Sequence, residues 1–162
     1  SPKGPNLTHL TAYGGFGNSK KPEFSPSNLV FFNNLGGVLV IAHIRGGGEK
    51  GLNWQLDGKN DKRQNHFDDF IGAAEYLIKI GLTDNKHLVI SGASNGGSLM
   101  ATVANQRPDL FALVQCNVPV TDMLRFHKFT GGRAWKGEYG TSEDNDDVSK
   151  LLDWSPLHNV KA

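Results

Sequence analysis

Runs of apolar residues separated by helical periodicities run along most of the chain. Leu10-Thr11-Ala12-Tyr13 alternates and then breaks at Gly14-Gly15, as a strand entering a loop does. Ser25-Pro26-Ser27 reads as a helix start, with Ser25 as cap and Pro26 at the first helical position; the helix stops at Gly36. Residues 37–44 form a continuous apolar run rich in β-branched side chains, which predicts a strand covered on both faces. Across 65–80, Phe67, Phe70, Ile71, Ala74, Leu77 and Ile78 keep helical spacing, and Gly81 stands where a C-cap glycine belongs. A short buried strand is expected over 87–91, then a helix from the glycine-rich turn at 92–97 to about Arg107, ended by Pro108. Residues 113–117 read as the next strand. Strands alternating with helices predict an α/β fold, a parallel sheet with helices on both faces. Beyond Val120 the pattern predicts an amphipathic helix over 121–129, a glycine-rich loop, and an acidic stretch at 143–147 that reads as a solvated helix start.

Composition narrows the function. Lys+Arg 17 against Asp+Glu 16 gives no electrostatic signature for nucleic acid or an anionic membrane. No window approaches the ~18 apolar residues of a membrane span, and the lone Cys116 rules out an internal disulfide. A cytoplasmic protein is the expectation. The 20 glycines sit in clusters, which predicts tight loops where backbone approaches something closely. No cofactor or metal is expected. Glycine spacing fits neither a dinucleotide fingerprint nor a P-loop, and the six histidines show no zinc-ligand spacing.

The chemistry-bearing motif is Gly92-Ala93-Ser94-Asn95-Gly96, which fits G-x-S-x-G with a strand before it and a helix after it. That context makes Ser94 a candidate nucleophile on a strained strand-to-helix turn. The helix N-terminus favours developing negative charge there, and the Asn95 N–H is the expected first oxyanion donor. The second donor should come from an earlier strand-to-helix loop, and 13–16 is such a loop. Tyr13 has a hydroxyl to offer, but a core aromatic at a strand end is an equal reading of the same residue.

Several segments, taken together and in order, resemble the prolyl oligopeptidase family of serine peptidases. They are Tyr13-Gly14-Gly15-Phe16, Arg45-Gly46-Gly47-Gly48-Glu49, Phe67-Asp68-Asp69-Phe70, Ser94-Asn95-Gly96-Gly97, and the stretches 106–111, 122–127 and 155–160. The resemblance implies cleavage of short peptides after proline through an acyl-enzyme, with the Tyr13 hydroxyl and the Asn95 N–H holding the oxyanion. It implies that Trp135 stacks on the proline ring, and that Phe16, Val120 and Tyr139 line the same pocket. Arg45 to Glu49 is read as a structural loop held by an Arg–Glu pair, and Asp68 and Asp69 as helix-dipole partners of an early helical turn.

In this fold an acid and a histidine follow the nucleophile on loops after later strands. The chain after Ser94 offers one strand, with Asp122 and His127, or Asp153 and His158, crowded into short segments. The expectation is therefore a partial α/β-hydrolase fold over 1–162. It would be the nucleophile half, lacking the first strands, the Asp/His-bearing part and the family's β-propeller, and dependent on the remaining parts of the full-length enzyme. Such a sheet would expose long unpaired edges, so a poorly stable isolated chain is expected. An inactive peptide-binding module and a carboxylesterase on the same fold remain as alternatives.

Overall fold

The computed structural model describes residues 4–161. Four parallel strands form one sheet: β1 (Thr8–Thr11), β2 (Val38–Ile41), β3 (Leu88–Ala93) and β4 (Leu113–Asn117), in the order β2-β1-β3-β4. Thr8 sits opposite both Val38 and Leu88, and Val89 opposite Leu113. The chain leaves β1 towards β2 through α1 (Pro26–Leu35). It returns through α2 (Leu52–Leu56) and α3 (Arg63–Lys79) to β3, then reaches β4 through α4 (Asn95–Gln106). Loops after the adjacent strands β1 and β3 therefore diverge, and a crevice opens between them at the carboxyl ends of the strands. Open α/β sheets bind ligands at such a switch point.

The caps read from sequence are in place. The Ser25 side chain accepts from the Asn28 N–H, and Gly36 takes the left-handed conformation (φ 60°) that closes α1. Gly81 ends α3 in the same way, at φ 72°. The acidic stretch starts a helix, α6 (Asn145–Trp154), whose cap Asp144 accepts from the Asp146 N–H, with Asp146 and Asp147 in the first turn.

Alternating burial along β1 and β3 divides the sheet into a closed and a half-open face. On the closed face Leu10, Leu88 and Ile90 pack into one core with Phe67, Phe70 and Ala74 of α3 and Leu99, Met100 and Val103 of α4. Burying each of the two phenylalanines contributes about 1.5–3 kcal/mol. The half-open face carries His9, whose ring meets Phe31 of α1 edge-on at 5.9 Å and whose Nε2 lies 2.7 Å from Ser91 Oγ.

Two expectations change. The apolar run at 37–44 supplies an edge strand of four residues, half-buried, with Ile41 exposed, because α1 covers that face loosely and buries none of its own residues. β4 is also an edge, and Leu113 is 53% exposed, so both margins of the sheet carry apolar side chains at the surface. The helix expected over 121–129 is replaced by a turn and a 3₁₀ segment, Phe126–Lys128. Tertiary partners take the Thr121 carbonyl that such a helix would pair in its first turn, and one of them also binds a nearby backbone N–H. The Thr121 carbonyl accepts from the Leu157 N–H and from Ser155 Oγ, while the Met123 N–H donates to Ser155 Oγ at 3.1 Å.

The glycine-rich loop after β2 is fastened by Arg45, but its partner is Asp69 and not Glu49. Arg45 donates to Asp69 from its backbone N–H (2.9 Å), Nε (2.8 Å) and Nη2 (2.6 Å). Asp69 thus ties α3 to the loop and is not a helix-dipole carboxylate. Asp68 accepts from Gln64 one turn earlier, and Glu49 accepts from the Lys20 N–H. His66 completes the fastening from inside: its Nδ1 lies 3.2 Å from the Arg45 carbonyl and its Nε2 3.4 Å from an Arg63 nitrogen. That geometry assigns the proton to Nδ1. Burial, and then the Arg63 charge, hold the imidazole neutral, well below its ordinary pKa of 6.5.

Three outcomes follow. Asp69→Ala should lower unfolding free energy by about 1–3 kcal/mol in denaturant titration, since it leaves a forked arginine without its carboxylate. Removing the surface pair Lys150–Asp61 should leave the denaturation midpoint almost unchanged. For His66, the unfolded chain takes up a proton below about pH 6.5 while the folded chain does not. Stability should be flat above that pH and fall by up to about 1.4 kcal/mol per pH unit below it. His66→Gln should remove that part of the slope in melts recorded from pH 7.5 to 5.

Candidate active site

Ser94 sits at the crest of the β3–α4 turn with φ 57° and ψ −121°, a left-handed backbone that costs a non-glycine residue on the order of 1–3 kcal/mol. Its surroundings hold it there. The Ser94 N–H donates to the Asn117 carbonyl of β4, and the Ser94 carbonyl accepts from the Ser98 N–H, both at 3.0 Å. The turn closes so tightly that a Cβ on Gly92 would collide with the Gly96 carbonyl, and one on Gly96 would come within 2.8 Å of the Ala12 carbonyl. The glycines of the motif are thus a steric consequence of packing strand, turn and helix together. Ser94 is exposed while Asn95, Gly96 and Gly97 behind it are buried. Asn95 opens α4, so its N–H is one of the amides that a helix leaves without an internal partner.

A cavity of ≈140 Å³ adjoins this serine, lined by Tyr13, Phe16, Ser94, Val120, Trp135 and Tyr139. Six of the seven residues singled out in the sequence therefore share one hollow, although they come from segments more than a hundred residues apart. Tyr13 and Phe16 arrive on the loop after β1, and Phe16 adopts φ 56°. Val120 follows β4, its N–H donating to Ser98 Oγ at 2.8 Å. Trp135 ends a 3₁₀ turn, Gly132–Trp135, and Tyr139 ends the short α5 (Lys136–Tyr139). The Phe16 and Tyr139 rings meet edge-on at 5.7 Å, and Tyr139 packs further onto Phe126 and Trp154.

The seventh residue, Asn95, presents no side chain to the cavity; its carboxamide lies behind the wall. Nδ2 donates to the Tyr13 carbonyl at 2.6 Å, while Oδ1 accepts from the Tyr139 hydroxyl at 3.0 Å and from an Arg63 Nη2 at 2.5 Å. Arg63, only 1% exposed, also donates from Nη1 to Glu138 Oε1 at 3.3 Å, and the same oxygen accepts the Phe16 N–H at 3.0 Å. The guanidinium lies 5.1 Å from the Tyr139 ring centre and 5.6 Å from that of Trp154. Burial lowers the Arg63 pKa, and the neighbouring Tyr139 and Glu138 oppose that shift. Burial pushes the Tyr139 phenol far up, so the hydroxyl remains a donor.

Sequence reading overlooked Arg63 and Glu138, since neither belongs to a spaced motif. One signal was available: Arg63 opens α3, where the helix dipole disfavours a cation, so a basic residue there has other work. The histidines downstream of Ser94 stand outside its cavity. His158 Nδ1 lies 2.8 Å from Ser155 Oγ, and His127 is buried 3.6 Å from Glu143 with neither ring nitrogen hydrogen-bonded among the described residues. Asp122 pairs with Arg125. Among the described residues, no group of three His, Cys, Asp or Glu side chains is placed to hold a metal. No helix of the described residues is long and apolar enough to cross a membrane.

Comparison with known proteins gives the same answer by sequence and by shape. Residues 22–162 match the prolyl oligopeptidase family. The chain is 52% identical over 153 residues to the prolyl endopeptidase of Dictyostelium discoideum, covering 94% of this chain and 20% of that protein. It is 45% identical over 160 residues to the prolyl endopeptidase of Elizabethkingia miricola, covering 98% and 23%. Among solved structures, one from a structural and mechanistic study of two prolyl endopeptidases superposes with a TM-score of 0.96 at 48% identity, covering 99% of this chain and 23% of that one. Prolyl oligopeptidase B from Galerina marginata, bound to a 25-residue macrocyclization substrate, superposes with a TM-score of 0.93 at 39% identity, covering 96% and 22%. The chain thus spans about a fifth of the length of these relatives. With a parallel sheet, an elbow serine and this match along its length, the chain belongs to the prolyl oligopeptidase family and forms part of that family's α/β-hydrolase domain.

Proposed function

We propose that this chain is the nucleophile-bearing part of a serine endopeptidase that cleaves short peptides on the carboxyl side of proline. The observation that carries the reading is the single cavity in which Ser94 stands beside Tyr13, Phe16, Val120, Trp135 and Tyr139. A hollow of ≈140 Å³ suits one small side chain, and flat aromatic walls suit the rigid, apolar pyrrolidine ring. Trp135 stacks on that ring, with Phe16, Val120 and Tyr139 closing the pocket around it.

In this mechanism Ser94 Oγ attacks the carbonyl carbon of the proline residue, and its proton passes to a base. The carbonyl oxygen takes up the negative charge and is held by the Asn95 N–H and the Tyr13 hydroxyl. Collapse breaks the C–N bond, the amine leaves with a proton, and water then releases the acyl group from Ser94. The base and its acid partner are assigned to the remaining parts of the full-length enzyme, because neither His127 nor His158 lines the cavity beside Ser94. Completing the domain would also cover the apolar edges of β2 and β4. A cytoplasmic location fits the single free cysteine, Cys116.

In the full-length protein, a fluorophosphonate should label Ser94, and Ser94→Ala should abolish both labelling and hydrolysis. Substrates with proline before the scissile bond should be cut far faster than their alanine counterparts. Ester turnover with equal proline and alanine rates would point to a carboxylesterase and sink the peptidase reading. Tyr13→Phe should lower kcat by roughly 10²–10³ with little change in KM, the signature of a lost oxyanion donor.

A further inference from the structure

We infer that Arg63 is a positioning residue that sets proline selectivity without touching the substrate. Its two terminal nitrogens reach in different directions, and the shorter contact of each, beside longer ones at 3.4 Å to the Gly58 carbonyl and His66 Nε2, is to a group that holds a wall of the cavity. One arm, Nη2, donates to Asn95 Oδ1 at 2.5 Å. Through the Asn95 carboxamide it reaches the Tyr139 hydroxyl and the Tyr13 carbonyl. The other arm, Nη1, donates to Glu138 Oε1, which holds the Phe16 N–H. Phe16, Tyr139 and Tyr13 form half of the cavity lining, and Arg63 itself lines none of it.

The arrangement couples four otherwise separate pieces of chain: the loop after β1, the first residue of α3, the first residue of α4 and the end of α5. Neither Phe16 nor Tyr139 sits in an extended element that would fix it locally; Phe16 lies in a loop and α5 has four residues. Beside the ring contacts of Tyr139 with Phe16, Phe126 and Trp154, the fork is the polar link that ties these two walls to the backbone around Ser94. A planar guanidinium meets Asn95 and Glu138 from two separate nitrogens, whereas an ammonium offers all its donors from a single atom on a flexible stem. Because Asn95 also carries the proposed oxyanion N–H, the same fork fixes the slot relative to the nucleophile.

This inference rests on the proposed prolyl peptidase reading, and the test separates the two. In the full-length protein, kcat and KM would be measured for matched proline and alanine substrates in the unmodified enzyme, in Arg63→Lys, and in the charge-balanced double variant Arg63→Met/Glu138→Leu. The double variant leaves no uncompensated buried charge, so it keeps the test open if the lysine variant fails to fold. Both variants should cut the proline-to-alanine ratio of kcat/KM by roughly tenfold, chiefly through a raised KM for the proline substrate. A purely structural role would reduce the amount of active enzyme and scale both substrates equally, leaving ratio and KM alone. A ratio within about twofold of the unmodified enzyme in a folded variant would overturn the inference, as would failure of both variants to fold, since the pair would then support the whole domain. If the unmodified enzyme has no proline preference, the proposed function fails instead.

Discussion

A buried guanidinium that donates to Asn95, Glu138, the Gly58 carbonyl and His66 is the constraint on which this site depends. Taking an arginine out of water is costly, and the cost is met only where geometry satisfies its donors. Here Glu138 supplies the compensating charge and Asn95 a 2.5 Å hydrogen bond, with three aromatic rings packed around the cation. One Arg63 nitrogen, Nε, finds no partner among the described residues. The fork is thus imperfectly paid for in hydrogen bonds, which is consistent with a group kept for where it holds its neighbours.

The strand-to-helix turn at Ser94 shows how such constraints stack. Its left-handed backbone is strained on its own, yet each neighbour enforces it: β4 through the Asn117 carbonyl, α4 through Ser98, and the close backbone approach at Gly92 and Gly96. Directly behind it the Asn95 side chain binds the loop after β1, so strain in the turn is held by long-range contacts and not by local preference. The same logic fastens the loop after β2, which Arg45, Asp69 and His66 bind to α3.

The topology explains why these pieces meet. Because β1 and β3 are adjacent while their connections run to opposite edges, the loop with Tyr13 and the turn with Ser94 open towards one another. Val120, Trp135 and Tyr139 then close the hollow from the segment after β4. Residues 121–123 give up helical backbone pairing for contacts with Ser155, which draws this segment against the sheet.

Much of the fold was legible in the sequence, for local reasons. Caps at Ser25, Gly36 and Gly81, the α3 periodicity and the apolar runs of the strands are set by residues within one or two turns of each other, and they appear where the sequence puts them. The elbow was legible because steric crowding demands glycine at fixed spacing around Ser94. What the sequence could not carry were pairings between distant segments: Arg45 with Asp69 and not Glu49, the displacement of a helix at 121–129 by Ser155, and the exposure of β2, which depends on how loosely α1 packs. Arg63 and Glu138 lie 75 residues apart, and no local pattern relates them. The sequence by itself determined most of the elements and the strained turn at Ser94, because these follow from propensity and short-range sterics. Tertiary structure alone decided the shape of the cavity beside that serine, because its walls are held by hydrogen bonds that exist only once the chain has closed.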